Sequence, residues 1–467
     1  MHRLRGGDND TIVAISTLTG FAGIGIVRLS GPTAVHIASE IFHPKSQKKV
    51  SELSANSVHL GKITDGEKFV DEVLLTVMKA PKSYTREDVV EISCHGGITP
   101  VKKTLELCVK YGARLADPGE FTKRAYLNGR IDLSQAEAVC DIIKAKTDVA
   151  LSCAMSQLSG ALSEEINGRK SELVDILSTI EVAIDYSEDD IPVANGEKIT
   201  AKIEKTGTAL KKILLTFHAG KIFRDGVLTA IIGKPNVGKS SILNVLVGQN
   251  RAIVTEIPGT TRDIIEETID ISGIPLILTD TAGIRKHSRD IVEKIGIERA
   301  QESLKNADLV LFVLDSSSEL SPEDFHIAEL IVSIPLRAKK VILVLNKSDK
   351  PSKIGNVSEL KIPASIVPIS ALLNDGIEEL KKSIYDSFIS GNINTSDFML
   401  TNMRHKIIIE SALDSLKKAV GTIKDGLSEE FVAIDLRVAL NYLGDITGEV
   451  PTEEILDRIF SNFCVGK

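Results

Sequence analysis

Two periods of hydrophobic spacing alternate along this chain and divide it into stretches of different architecture. Up to about residue 118 the apolar runs are short, rich in β-branched residues and bounded by Gly, Asp or Pro. That pattern predicts strands over 11–14, 25–29, 73–77 and 89–92, covered by a helix over 99–111. From about Leu133 the period becomes helical. Val139, Ile142, Ile143, Val149 and Cys153 fall on one predicted face, and Leu162, Ile166, Leu173, Leu177, Ile180 and Ile184 on another. The acidic stretch Ser187-Glu188-Asp189-Asp190-Ile191-Pro192 interrupts this pattern, and a further helix is predicted over 198–217.

Between Gly226 and about Ser387 strands and helices alternate, as in a parallel α/β unit. Strands are predicted over 227–232, 275–278, 309–314, 341–345 and 365–368, each ending at a polar cluster, where open α/β sheets bind ligands. Ser321-Pro322-Glu323-Asp324 starts a helix with Pro at its first position. After Ser390 the pattern is helical again: Ile409, Leu413, Leu416 and Val420 share a face, and helices are predicted over 431–443 and 452–463. Helices on both flanks suggest an α/β unit inserted into one discontinuous helical domain; two separate helical domains are the alternative.

Composition narrows the class. The 467 residues suffice for roughly two to four domains. Apolar content of 43% and charged content of 26% are ordinary for chains that bury cores. A net charge of −8 gives no global basic field for nucleic acid, and an aromatic content of 4% without Trp disfavours broad base-stacking platforms. Cys94, Cys108, Cys140, Cys153 and Cys464 form no zinc spacing, so a reducing, cytoplasmic setting is expected. Apolar runs such as 309–314 are far too short to span a membrane, and the first residues lack the apolar core of a secretory signal.

The chemistry concentrates in the α/β unit. Gly233-Lys234-Pro235-Asn236-Val237-Gly238-Lys239-Ser240 fits G-x-x-x-x-G-K-[ST] between a predicted strand and a helix over 241–246. Its backbone N–H groups can cradle phosphates, Lys239 can reach the β/γ-phosphates and Ser240 can ligate Mg²⁺. Asp280-Thr281-Ala282-Gly283 ends a strand, where Asp280 can reach the Mg²⁺ shell and the Gly283 N–H the γ-phosphate. Asn346-Lys347-Ser348-Asp349 ends another. Asp349 can accept from guanine N1–H and N2–H₂ together, which adenine cannot offer. Ser370-Ala371-Leu372 can close on the base through backbone N–H groups. Thr260-Thr261-Arg262-Asp263 falls where a mobile switch brings a Thr to Mg²⁺, a role assigned to Thr261.

Signalling GTPases commonly carry a water-orienting Gln directly after D-x-x-G; here that residue is Ile284, which can neither hydrogen-bond nor stabilise charge. Either hydrolysis is slow or other groups act. A monovalent cation beside the β/γ bridge can replace an arginine finger, and Asn236 is placed to offer it a side-chain oxygen.

Further stretches, most of them outside the α/β unit, carry a resemblance. They are 8–14, 25–31, Glu91-Ile92-Ser93-Cys94-His95-Gly96-Gly97, 118–125, Pro258-Gly259-Thr260-Thr261-Arg262-Asp263 and the terminal Phe463-Cys464-Val465-Gly466-Lys467. With the nucleotide motifs, the chain resembles the tRNA-modification GTPases of the MnmE/TrmE family over nearly its full length. The resemblance implies a multidomain α/β plus α fold: an N-terminal α+β tetrahydrofolate-binding-like dimerisation domain over 1–125, a discontinuous helical domain over 126–225 and 389–467, and an inserted Ras-like P-loop G domain over 226–388. It implies a homodimer, an FAD-dependent MnmG (GidA) partner, and addition of an aminomethyl or carboxymethylaminomethyl group at C5 of tRNA wobble uridine from a folate one-carbon unit. It further implies GTP, Mg²⁺, K⁺ and 5-formyl- or 5,10-methylene-tetrahydrofolate as ligands.

Carried over by motif, GTP contacts are expected at 236–241, Thr255, Thr260, Thr261, 280–283, Asn346, Lys347, Asp349 and 370–372, Val237, Gly238 and Ser241 among them. Mg²⁺ is expected on Ser240 and Thr261, and K⁺ on Asn236, the Thr255 and Ile257 carbonyls and Thr260. The family's catalytic glutamate corresponds to Glu293, with one extra residue between Gly283 and it. Folate contacts correspond to Arg28, Glu91, Arg130 and Lys467, cations for glutamyl carboxylates and a carboxylate for pterin donors. Cys464 is a reactive thiol or a small buried apolar residue. His95 reads as a turn residue, since no metal constellation accompanies it. A ribosome-assembly or signalling GTPase is the rival reading. The absence of a KH-type Gly-x-x-Gly module after the α/β unit and the presence of the Cys-Val-Gly-Lys tail oppose it. A folate-dependent transferase with a vestigial G domain is opposed by the intact nucleotide motifs.

Overall fold

The computed structural model describes residues 10–18, 20–46, 48–185, 196–250, 267–278, 304–333, 340–389, 398–449 and 451–467. The N-terminal strands form a seven-stranded sheet of order β3-β4-β5-β6-β2-β1-β7. Its strands are β1 (Ile12–Ile15), β2 (Ile24–Ser30), β3 (Phe42–Pro44), β4 (Ser57–Asp65), β5 (Lys68–Met78), β6 (Val89–His95) and β7 (Arg114–Leu115). Alternation sends Val27, Leu29, Val90, Ile92 and Cys94 into a core beneath α1 (Ala34–Ile41) and α2 (Ile98–Lys110). The intervening Arg28 and Glu91 therefore point to the other face, directly opposite one another in register. Sequence patterning missed β3, β4, β7 and α1. In β4 the apolar residues Val58 and Leu60 are exposed while Gly61 is buried, so hydrophobicity does not mark its inner face. Gly61 is small by necessity: a Cβ there would lie 2.4 Å from the Phe42 ring.

Two short helices, α3 (Glu120–Leu127) and α4 (Leu133–Lys144), lead into the helical part. The expected single face from Val139 to Cys153 is corrected by the structure. Helix α4 ends at Lys144 and α5 (Asp148–Leu158) starts anew, with the Thr147 hydroxyl capping Ala150 N–H. Val139 packs near Leu133 and Phe460, Ile143 is exposed, and Val149 and Cys153 pack on the α/β unit. The helix expected over 198–217 is two helices, α7 (Gly196–Leu215) and α8 (Phe217–Asp225). Four long helices share one core: α6 (Ala161–Asp185), α7, Met403–Lys424 and Glu429–Thr447. Leu162, Ile166 and Leu173 thus meet Ile409, Leu416 and Leu443 from beyond the α/β unit. The last expected helix is shorter, Glu453–Phe460, capped by Thr452.

The α/β unit is a six-stranded sheet of order β13-β12-β11-β8-β10-β9. Its strands are β8 (Val227–Ile232), β9 (Glu267–Ile271), β10 (Ile274–Leu278), β11 (Leu309–Asp315), β12 (Lys340–Asn346) and β13 (Ser365–Pro368). All pairs are parallel except β9–β10, a hairpin that periodicity missed. Helices α9 (Lys239–Asn250), α10 (Pro322–Ser333) and α11 (Ile377–Phe388) complete the described unit. The hairpin turn uses positive φ at Ser272 and Gly273 and presses on α5. The Thr147 hydroxyl donates to Gly273 O at 2.9 Å, and a Cβ on Gly273 would lie 2.4 Å from Val149.

Candidate functional site

The loop between β8 and α9 adopts a cradle built on unusual backbone angles. Gly233, Asn236 and Gly238 have φ of +151°, +65° and +100°. Asn is among the few side chains that tolerate this region, so Asn236 has a backbone reason for its place. Its side chain is exposed. A Cβ on Gly233 would lie 2.3 Å from Val313 O, and one on Gly238 only 2.1 Å from Asn346 Nδ2. Lys239 Nζ donates to Gly233 O at 2.7 Å and Lys234 O at 2.8 Å. Burial holds this ammonium below its ordinary pKa. A half-buried cation held by two carbonyls, beside backbone curled by glycines, suits a phosphate. Ser240 and Ser241 open α9 behind it, and Val237 is buried.

Asn346 joins this loop to the other predicted motifs. Its buried side chain donates to Val237 O at 2.8 Å, and its Oδ1 accepts from Ala371 N at 3.1 Å. Lys347, with φ +68°, ion-pairs through Nζ with Asp315 at 2.5 Å. Burial raises the Asp315 carboxyl, but hydrogen bonds from Lys347 and Ser317 outweigh it and hold the group below its usual range. Asp349 is exposed, and the Ser370 hydroxyl donates to its Oδ1 at 2.6 Å. The same hydroxyl accepts from Leu373 N at 3.3 Å. Leu372 is 80% exposed beside it, so the rim has an apolar face open to a ring. Phosphate loop, Asn346, Asp349 and 370–372 therefore converge at the carboxyl ends of β8, β12 and β13.

Thr255, Ile257, Thr260, Thr261, Asp280, Thr281, Ala282, Gly283, Ile284 and Glu293 lie outside the described residues.

A second group of predicted residues assembles on the open face of the first sheet. Arg28 Nε donates to Glu91 Oε1 at 2.7 Å, and Arg28 Nη1 donates to Gly466 O at 3.2 Å. Ser16 Oγ donates to the same carbonyl at 3.1 Å, which brings Gly466, the residue before Lys467, beside Arg28 across 438 residues of sequence. Arg130 is exposed and stacks 4.6 Å from the Tyr84 ring, against which Arg28 also packs at 5.8 Å. Sequence reading missed Tyr84 and Ser16, which share no spacing with the others. Cys464 is exposed, so the buried alternative is excluded. His95 is not a turn residue: it ends β6, and its Nδ1 and N–H meet Asp71 at 2.6 and 2.9 Å. Among the described residues no three His, Cys, Asp or Glu side chains form a metal-holding group, and no helix is long and apolar enough to cross a membrane.

The phosphate cradle, the Asn346–Asp349 strand end and the parallel sheet define a guanine-nucleotide-binding P-loop domain. Residues 11–130 match the model for the "GTP-binding protein TrmE N-terminus", and 133–464 that for the "MnmE helical domain". The chain is 49% identical to the tRNA modification GTPase MnmE of Clostridioides difficile, covering 98% of this chain and 99% of that one. It is 47% identical to the protein of the same name from Alkaliphilus metalliredigens over the same shares. The solved structure of Era in complex with MgGDPNP and nucleotides 1506–1542 of 16S ribosomal RNA is 33% identical over 40% of this chain and 66% of that one, with a TM-score of 0.27. The chain belongs to the MnmE family of tRNA modification GTPases, and it is a GTP hydrolase.

Proposed function

We propose that this GTPase is stimulated by potassium and acts with an FAD-dependent MnmG (GidA) partner on tRNA. It adds an aminomethyl or carboxymethylaminomethyl group at C5 of the wobble uridine from a tetrahydrofolate one-carbon unit. It works in the cytoplasm as a homodimer, with a folate-binding domain over 1–125, a G domain over 226–388 and a helical domain over 126–225 and 389–467. The observation that carries this reading is the assembly of Arg28, Glu91 and the Gly466 carbonyl on one open sheet face, with Arg130 beside it on the Tyr84 ring and Lys467 next in the chain. Two guanidiniums and the terminal ammonium suit the carboxylates of a folate tail, and Glu91 suits the amino and N3–H donors of a pterin. Tyr84 offers that ring an aromatic wall.

In the G domain, Lys239 meets the β/γ-phosphates, Asp349 selects guanine, and the N–H groups of 236–241 cradle phosphate oxygens. Ser240 and Thr261 would hold Mg²⁺, which would supply positive charge to the phosphates. Asn236, Thr260 and the Thr255 and Ile257 carbonyls would hold K⁺, and Glu293 would orient the attacking water in place of the glutamine that Ile284 replaces. GTP turnover should be at least about tenfold faster in K⁺ than in Na⁺, and Glu293→Ala should abolish it while GDP affinity stays; equal rates in the two salts exclude the cation role. Titration with 5-formyltetrahydrofolate should show binding that Arg28→Ala weakens by about 10–100-fold. Unchanged affinity in that variant removes the folate assignment.

A further inference from the structure

We propose that Lys234 and Asp324 are a positioning pair for the phosphate loop. Through the Lys234 ammonium, the Asp324 carboxylate fixes the backbone carbonyls that hold Lys239, and so presets the loop for a nucleotide. The motif leaves the residue after its first glycine unspecified, yet Lys234 is only 17% exposed in its side chain. Its Nζ donates to Asp324 Oδ2 at 2.8 Å and Ser321 Oγ at 3.2 Å.

Asp324 is 1% exposed. Ser321 N and Oγ both donate to its Oδ2, at 2.9 and 2.7 Å, and its Oδ1 has no hydrogen-bond partner among the described residues. A carboxylate buried this deeply needs a counter-charge, and the first turn of a helix favours it only in part. The counter-charge comes from the loop, not from α10. The Ser-Pro-x-Asp start of α10 fixes the carboxylate rigidly, since Pro322 restricts the backbone there.

The pair does more than neutralise. The Lys234 carbonyl is one of the two that accept Lys239 Nζ. Its other neighbour, Gly233, is pressed against Val313 O of β11, where no Cβ fits. The loop is thus suspended between β11 on one side and α10 on the other. Asp324 also cancels the second ammonium of the loop, leaving Lys239 as the cation directed at phosphate.

The test compares full-length wild type, Lys234→Met, Lys234→Arg, Asp324→Asn and the Lys234→Met/Asp324→Asn double variant. GDP affinity, GTP turnover and the urea midpoint are read for each. Lys234→Met should weaken GDP binding and raise KM for GTP by about tenfold with kcat changed less than about twofold. Lys234→Arg should bind GDP within about threefold of wild type, since it keeps the charge and the reach. The double variant leaves no unpaired buried charge, so its urea midpoint should return while GDP binding stays about tenfold weak. Recovery of affinity together with the midpoint means that the pair only balances a buried charge, and overturns the proposal. Wild-type GDP affinity in Lys234→Met overturns it as well. GDP binding needs neither tRNA nor folate, so this outcome is independent of the proposed modification chemistry.

Discussion

Single backbone positions set the terms of the nucleotide site. Gly238 combines φ +100° with a contact that any Cβ would break, at 2.1 Å from Asn346 Nδ2. Gly238→Ala should therefore displace Asn346 from both Val237 O and Ala371 N, and so uncouple the phosphate loop from the base-binding rim. GDP affinity should fall by at least about 100-fold while the far-ultraviolet circular dichroism spectrum is retained. Asn236 shows the converse. Sequence reasoning valued its side chain, whereas the structure adds a backbone demand for a residue that tolerates positive φ. The two roles separate experimentally: Asn236→Gly accommodates the same φ and removes the whole side-chain carboxamide.

At the scale of elements, the break between α4 and α5 matters most. Helical periodicity runs through 145–147 because Val139, Ile142, Val149 and Cys153 keep a helical spacing. The Thr147 cap starts a new helix and turns its face from the Phe460 cluster to the α/β core. The same hydroxyl holds the β9–β10 turn at Gly273 O. Thr147→Val removes both bonds and leaves a buried carbonyl unpaired, at about 1–3 kcal/mol in urea unfolding. Thr147→Ser should recover most of that loss. The hairpin it grips lies in sequence between Thr260-Thr261 and Asp280-Thr281-Ala282-Gly283, and this contact ties α5 to the β9–β10 edge of the α/β sheet.

Across the whole molecule, buried charge links segments far apart in sequence. Glu137 of α4 receives Arg404 at 2.8 and 2.9 Å and lies 2.6 Å from His405 Nε2, while Arg404 also donates to Asp445 O and Ile446 O. Burial raises the Glu137 carboxyl, but His405 and Arg404 outweigh it and bring it down to about 2 from the ordinary 4.5. A depressed folded pKa stabilises above the unfolded value and is lost as pH falls through the folded one. Glu137→Gln should cost about 3 kcal/mol near neutrality, and the gap to wild type should close as pH falls from 4.5 towards 2. Burial raises the neighbouring Asp141 carboxyl despite Arg224, and the Glu137 charge raises it further, so Asp141 is replaced by Asn in both proteins for this comparison. Lys239, Asn346 and Asp349 were legible in the sequence because each sits in a short motif whose spacing fixes its strand end or loop; Arg28 and Glu91 entered only through the family resemblance. Tyr84, Ser16, β4 and the Lys234–Asp324 pair were not. By itself the sequence determined the phosphate cradle, the choice of guanine and the alternating α/β order, since those depend on local periodicity and on residues a few positions apart. The tertiary structure alone decided that the Gly466 carbonyl meets Arg28 and, between the two arrangements the sequence left open, that helices from both flanks share one core. It also decided that a loop lysine answers a helix carboxylate, because such contacts depend on how distant segments pack.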